Sequence, residues 1–274
     1  MSNAPHLIMG MRKGVSYGNA KIVDSMICDG LWDPYGDFHM GMAGEMCSSK
    51  YNLSREQQDE FALSSYKKAR QAIDKKEFEQ EITPIKVKNR KSEVDFKVDE
   101  EPLRLKEEKV KTLRPAFKKD GTITAANASS VNDGAAMLLL CSEDAVKKYK
   151  LKPKAIIISQ GTHSQEPEWF TTAPVGAINN ALSSAELKEK DISFFEVNEA
   201  FSSVAMACAS DLKIPSEKLN IRGGAVALGH PIGASGARIL VTLLYTMIDK
   251  NERYGCAGLC NGGGEASALV IEKV

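Results

Sequence analysis

The stretch Gly223–Arg238, GGAVALGHPIGASGAR, constrains this chain most: five glycines, a proline and one of only four histidines fall within sixteen residues. Such a composition gives up local stability so that the backbone can turn tightly, and Gly229-His230-Pro231 permits neither a regular helix nor a strand around the imidazole. Beyond it, Ala237–Met247 repeats apolar residues at helical spacing. The glycine loop therefore delivers His230 close to a helix start, where free backbone N–H groups and the positive end of the dipole collect. A second glycine-rich turn, Cys260-Asn261-Gly262-Gly263-Gly264, lies between two runs that read as strands. Each loop pairs close backbone approach with one titratable side chain, and a His with a Cys points to acid/base chemistry.

The 274 residues suffice for one large core or two smaller ones, and 36 basic against 36 acidic side chains leave no net field to favour nucleic acid. No apolar run approaches the roughly 20 residues needed to span a bilayer. The segment Met1–Gly14 has neither the apolar centre of a signal peptide nor the Arg and Ser enrichment of a transit peptide, so a cytoplasmic location is expected. Six cysteines at irregular spacing, with no C-x-x-C pair, read as thiols. No His/Cys/carboxylate cluster has zinc spacing, and neither a G-x-G-x-x-G fingerprint nor a Walker A sequence occurs, so no metal or dinucleotide cofactor is expected.

Residues 1 to about 38 have weak periodicity. From Met40 to Ala72 the spacing is helical, with Ser54 and Gln57 placed as a capping box and the helix running to Ile73. Residues 74–120 are heavily charged, with a strand expected at Ile82–Val87 and a polar, solvated region from Lys88 to Lys111. After Gly121 strands alternate with helices. Strands are expected at Ala135–Cys141, Ala155–Ser159, Ile192–Val197, Tyr254–Leu259 and Ala266–Ile271. Helices are expected at Glu143–Tyr149 behind a Ser142 cap, at Val175–Leu182 and at Phe201–Leu212. That alternation argues an α/β layered sheet.

Three motifs carry chemistry, each beside a plainer alternative. Asn198-Glu199-Ala200-Phe201 lies where a strand hands over to a helix, a position that exposes functional side chains, though Asn198 also suits a plain helix cap. His230 fits a catalytic or a satisfied structural imidazole. Cys260 fits a functional thiol or a buried apolar side chain.

Together and in order, Asn198–Phe201, Gly223–Arg238 and Cys260–Gly264 resemble the three C-terminal signatures of the thiolase family. The form Cys-Asn-Gly-Gly-Gly followed by Ala266-Ser267-Ala268 is closer to the acetoacetyl-CoA thiolases than to the long-chain degradative enzymes. The likeness continues through Leu113–Phe117, Thr124–Ser129 and Asn132–Ala136. It implies a thiolase-like layered α/β fold, with the loop-domain region at residues 1–120 and the C-terminal thiolase domain at 121–274. It also implies reversible condensation of two acetyl-CoA into acetoacetyl-CoA and coenzyme A, with no cofactor beyond the thioester substrates.

Carried over residue by residue, the resemblance makes His230 the activator of the nucleophile and, with a water held by Asn198, part of an oxyanion hole. Cys260 becomes the second acid/base, and backbone N–H groups near Gly262 a second oxyanion site. His39, Met40 and Ser129 would line the pantetheine channel, Arg104 would contact the adenine side and Phe201 would wall the acyl group.

The family's acylated cysteine lies in an N-terminal half expected to precede Met1, and none of the six cysteines has that nucleophile's context; Cys28 and Cys47 lie in or near the loop region. The expectation is therefore a C-terminal half lacking the nucleophile, acting as a homo-oligomer or with a complementing N-terminal half. The alternatives are a non-catalytic CoA-binding module and a fragment of a degradative 3-ketoacyl-CoA thiolase. Two further departures are Ala43-Gly44-Glu45-Met46, where Ala-Glu-Asn is usual, and Glu265 in place of glycine, a carboxylate expected to raise the Cys260 pKa or crowd the site.

Overall fold

The computed structural model describes residues 1–88 and 92–274; residues 89–91, part of the expected polar region Lys88–Lys111, lie outside the described residues. In chain order the first elements are β1 (His6–Ile8), β2 (Ile22–Asp24), β3 (Trp32–Asp33), β4 (Phe38–His39), α1 (Met40–Lys50) and α2 (Arg55–Asp74). Then come β5 (Ile85–Lys88), β6 (Glu93–Phe96), α3 (Glu101–Arg104), α4 (Glu143–Tyr149), β7 (Ala155–Ser164) and α5 (Ala173–Ser184). The chain continues with β8 (Phe194–Val197), α6 (Ser202–Asp211), α7 (Ala225–Leu228), α8 (Ser235–Lys250), β9 (Tyr254–Asn261) and β10 (Glu265–Lys273).

The central sheet has the order β7-β10-β9-β8, with β8 parallel to β9 and the other pairs antiparallel. Alternation along its strands sends side chains to two different helices. Ala266, Ala268, Val270, Cys256 and Phe195 join Ala177, Ile178 and Ala181 of α5 in one core. Phe194, Ala257, Leu269 and Ile271 join Ile239, Leu243 and Met247 of α8 in another. A third cluster packs Ala62, Tyr66 and Ala69 of α2 against Val226 and Ala227 of α7.

The helix region from Met40 divides where expected. The Ser54 hydroxyl accepts from Gln57 N at 3.2 Å, and the Gln57 side chain accepts from Ser54 N at 2.8 Å, a complete capping box that starts α2 afresh. Ser142 likewise caps α4 by accepting from Ala145 N.

Three expected strands differ, one of them β7, which runs on to Ser164 rather than ending at Ser159. Pairing of β5 begins at Ile85 rather than Ile82, just after Pro84, which has no N–H to donate. Ala135–Cys141 forms no strand: among the described residues nothing pairs with it, Leu138 packs toward the α8 core, and Met137, Leu139 and Leu140 face outward. An apolar run states what a segment would bury, but a strand also needs a neighbour for its backbone.

Candidate active site

The end of β8 sets the first functional side chain. Asn198 N donates to Gly258 O at 3.0 Å, extending the pairing with β9 one residue beyond the strand. The Asn220 side chain clamps the preceding residue, accepting from Val197 N at 2.9 Å and donating to Val197 O at 2.8 Å. Asn198 is thereby held at the sheet's end, buried, with its side-chain N 3.4 Å from His230 Nε2. Asn198 caps no helix: α6 begins behind Phe201, without a side-chain cap bond.

His230 arrives on the loop between α7 and α8. Gly229 takes φ +93, and a β-carbon there would land on the Asn132 side chain, so this turn requires glycine. His230 N donates to Ser130 O at 3.0 Å, tying the loop to the Ser129–Asn132 turn. The imidazole tautomer follows from its neighbours. Ser235 donates its hydroxyl to Pro231 O at 3.0 Å, so at 2.6 Å its oxygen accepts from His230 Nδ1–H and leaves Nε2 with the lone pair, toward Asn198. Burial pushes the His230 pKa down to about 4, and the positive charge of Arg238 adds to the fall. A neutral imidazole with a fixed basic nitrogen results.

Cys260 lies near the end of β9, paired with Ala266 of β10 and partly packed into the α5 core. Burial raises this thiol to about 12, so it keeps its proton at neutral pH. Glu265 is not a cause of that shift; its carboxylate is exposed and accepts from the Asn261 side chain at 3.2 Å. The expected raising of Cys260 is thus present, with burial rather than the Glu265 charge as its source.

These groups open into a cavity of about 600 Å³ between the sheet's end and the loops. His39, Met40, Ser129, Phe201, His230, Cys260 and Gly262 all line it, although they come from positions 39 to 262 of the chain. His39 Nδ1 also accepts from Gly41 N at 3.0 Å as the cap of α1, and burial lowers its pKa, which favours the neutral ring. Ser129 is anchored by its hydroxyl, which donates to Ala200 O at 2.8 Å. Asn198 reaches the cavity only through His230. Arg104 does not line it: its guanidinium donates to Glu100 and Glu101 at 2.6 and 2.9 Å on an exposed surface.

Sequence reasoning gave no role to Phe117, Phe170 or His163, which also line the cavity. Phe117 stacks on His39 with centroids 4.8 Å apart and meets Phe201 edge-on at 5.9 Å. Its signal was present in Leu113–Phe117, but an aromatic residue in a polar loop has no periodicity to reveal which wall it builds. Among the described residues no group of three or more His, Cys, Asp or Glu side chains could hold a metal, and no helix is long and apolar enough to cross a membrane.

Comparison with known proteins gives the arrangement its relatives. The thiolase N-terminal domain matches residues 1–144 and the thiolase C-terminal domain residues 151–273. The chain is 48% identical over 276 residues to an acetyl-CoA acetyltransferase of Schizosaccharomyces pombe, covering 100% of itself and 70% of that protein. Among solved structures it is similar to the Bacillus anthracis acetyl-CoA acetyltransferase, with TM-score 0.94 and 38% identity over 98% of this chain and 68% of that one. It is similar also to the Acat5 thiolase from Ascaris suum in complex with coenzyme A, with TM-score 0.90 and 42% identity over 100% of this chain and 69% of that one. The expectation that the N-terminal half is missing is corrected by the N-terminal domain match, which spans residues 1–144. With both domains matched and the layered α/β fold shared, this chain is an acyltransferase-type enzyme that belongs to the thiolase family.

Proposed function

We propose that this chain acts on coenzyme A thioesters in the manner of an acetyl-CoA C-acetyltransferase, joining two acetyl-CoA into acetoacetyl-CoA and coenzyme A, reversibly. The observation that carries the reading is the convergence of two neutral titratable groups on one cavity: a His230 whose Nε2 is the free base and a Cys260 that holds its proton. His230 Nε2 takes the proton of an attacking thiol, and the resulting N–H then donates to the thioester oxygen as charge gathers there. Asn198 Oδ1, buried and without a partner among the described residues, is placed to hold a water that makes the second donor. In condensation Cys260 first gives up its proton, to the coenzyme A thiolate that leaves or to solvent, and the thiolate so formed takes the α-proton of acetyl-CoA; in cleavage the thiol returns that proton to the α-carbon as the C–C bond breaks, and backbone N–H groups near Gly262 form a second oxyanion site.

In this reading residues 39–120 cover coenzyme A, with His39, Met40 and Ser129 along the pantetheine, Phe201 behind the acyl group and residues 121–274 as the C-terminal domain. Arg104 contributes to the adenine side only if it leaves its two glutamates. The ping-pong route also needs a thiol to carry the acyl group. Cys47, Cys208 and Cys256 are buried, and Cys28 and Cys141 lie outside the cavity lining, which supports an acyl carrier that is none of these five. Exposed apolar side chains at Met137, Leu139 and Leu140 support a self-associating chain.

The test separates deprotonation from acyl transfer. Exchange of the acetyl-CoA methyl protons into D₂O, followed by NMR, needs Cys260 and the oxyanion site but no acyl carrier. Cys260→Ala and His230→Ala are each expected to lower the exchange rate about 100-fold or more. Exchange that is indifferent to both substitutions overturns the reading. Acetoacetyl-CoA thiolysis, with mass spectrometry of the trapped acyl-cysteine, then tests the assignment of the carrier.

A further inference from the structure

Directly behind this site lies a carboxylate that the chemistry above does not use. Glu199 is 1% exposed and accepts three hydrogen bonds: from Ser65 Oγ of α2 at 2.8 Å, from the Asn220 side chain at 2.8 Å and from Val226 N in the first turn of α7 at 3.1 Å. Ser65 Oγ in turn accepts from Gly224 N at 3.0 Å, so its own hydrogen is free to point at Glu199. Gly224 is pressed so closely that a β-carbon there would land on the Glu199 carboxyl group. Three donors and no acceptor surround these oxygens; burial raises the carboxyl above its ordinary pKa, and the hydrogen bonds from Asn220, Ser65 and Val226 pull the other way, toward the ionised form.

We infer that Glu199 is a positioning residue that fixes the approach of Asn198 to His230 by tying the end of β8 to the segment that carries the imidazole. The connectivity carries the inference. Glu199 follows Asn198 directly, and the Asn220 amide that donates to Glu199 also grips Val197, so both residues flanking Asn198 are bound to one side chain. On the other side, Val226 N and, through Ser65, Gly224 N hold the start of α7, whose last residue Leu228 is followed by Gly229 and His230. Between Asn198 and His230 themselves there is one long contact of 3.4 Å, too weak to set their separation alone. The carboxylate supplies the rigid link that this contact lacks.

Glutamine cannot replace it. Asn220 is locked by its two bonds to Val197, so in Glu199→Gln the new amide must set its NH₂ against either the Asn220 NH₂ or the Ser65 and Val226 donors. The inference rests on the proposed acid/base site, and its test includes a measurement that does not need turnover. The His230 imidazole is titrated by NMR, assigned by its loss in His230→Gln, alongside acetyl-CoA methyl exchange. Glu199→Gln is expected to raise the His230 midpoint from about 4 by about one pH unit or more, as the loop opens to water, and to slow exchange about tenfold or more. Ser65→Ala, which removes one donor and is the gentler change, moves both in the same direction by less. Leu182→Ala, a truncation of a 3%-exposed side chain in the last turn of α5 and outside this network, lowers the melting temperature and leaves both unchanged. A wild-type His230 midpoint in folded Glu199→Gln, or in Ser65→Ala if the former does not fold, overturns the inference, and so does an equal shift in Leu182→Ala. Absence of methyl exchange in the wild type removes the proposed function instead, while the imidazole midpoint still decides the role of Glu199.

Discussion

Ser235 determines which nitrogen of His230 can act. Its hydroxyl is committed to Pro231 O, so it can only accept from Nδ1–H, and Ser235→Ala releases the ring to exchange tautomers. A loss of roughly tenfold or more in the acetyl-CoA methyl-exchange rate at saturating acetyl-CoA, with little change in the half-saturating concentration, is expected; an unchanged rate would show that the hydroxyl does not hold the productive tautomer. The pH dependence has a definite sign. Because burial and Arg238 depress the His230 pKa to about 4, below the unfolded value of about 6.5, folding favours the neutral ring. Its contribution to stability is fully present above about pH 6.5 and is lost as pH falls through about 4. The acid limb of the methyl-exchange rate that belongs to His230 accordingly lies near 4, and a pH–rate profile breaking between 6 and 7 would contradict this tautomer and burial argument. His230 was legible because its glycine-rich loop forms no regular element for the side chain to disappear into, whereas Cys260 sits in β9 and was marked by the glycine turn that follows it. Arg104, by contrast, pairs with two carboxylates within one helical turn on an exposed surface and is absent from the cavity lining.

At the scale of elements, the departure at Glu45 has a structural account. Its carboxylate, 5% exposed on α1, accepts from Thr122 N at 2.9 Å, from Ile123 N at 2.9 Å and from Thr122 Oγ1 at 3.1 Å, pinning the turn that follows Gly121 to the helix that carries Met40. Glu45→Ala leaves the buried Ile123 N–H without that acceptor, and a loss of about 3 kcal/mol is expected in chemical denaturation. A change under about 0.5 kcal/mol would mean that water replaces the carboxylate at no cost. Elements with local codes were readable in advance: the Ser54/Gln57 box and the Ser142 cap are written within four residues of their partners. Elements with distant partners were not. Ala135–Cys141 has the composition of a buried strand, and β7 extends to Ser164 instead of ending at Ser159 because β10 continues beside it to Glu265.

The whole molecule buries one sheet between α5 and α8, yet it leaves a strip of apolar surface uncovered after Gly134. Met137, Leu139 and Leu140 are 91%, 83% and 71% exposed, on a segment whose backbone pairs with no strand among the described residues. An unpaired extended backbone with apolar side chains is a template for association, because pairing satisfies its N–H and C=O groups while covering the side chains. Leu138 alone faces the α8 core, so the two neighbours on either side of it can be changed without touching that packing. The isolated chain is therefore expected to gain mass with concentration in multi-angle light scattering, and Met137→Lys/Leu139→Lys to return it toward a single-chain mass. Two lysines at an exposed edge oppose pairing by charge and by solvation, while folding stability should move by no more than about 0.5 kcal/mol. A wild-type chain that stays at one mass at every concentration would refute the expectation. Equal association of the lysine variant would locate the contact on another surface.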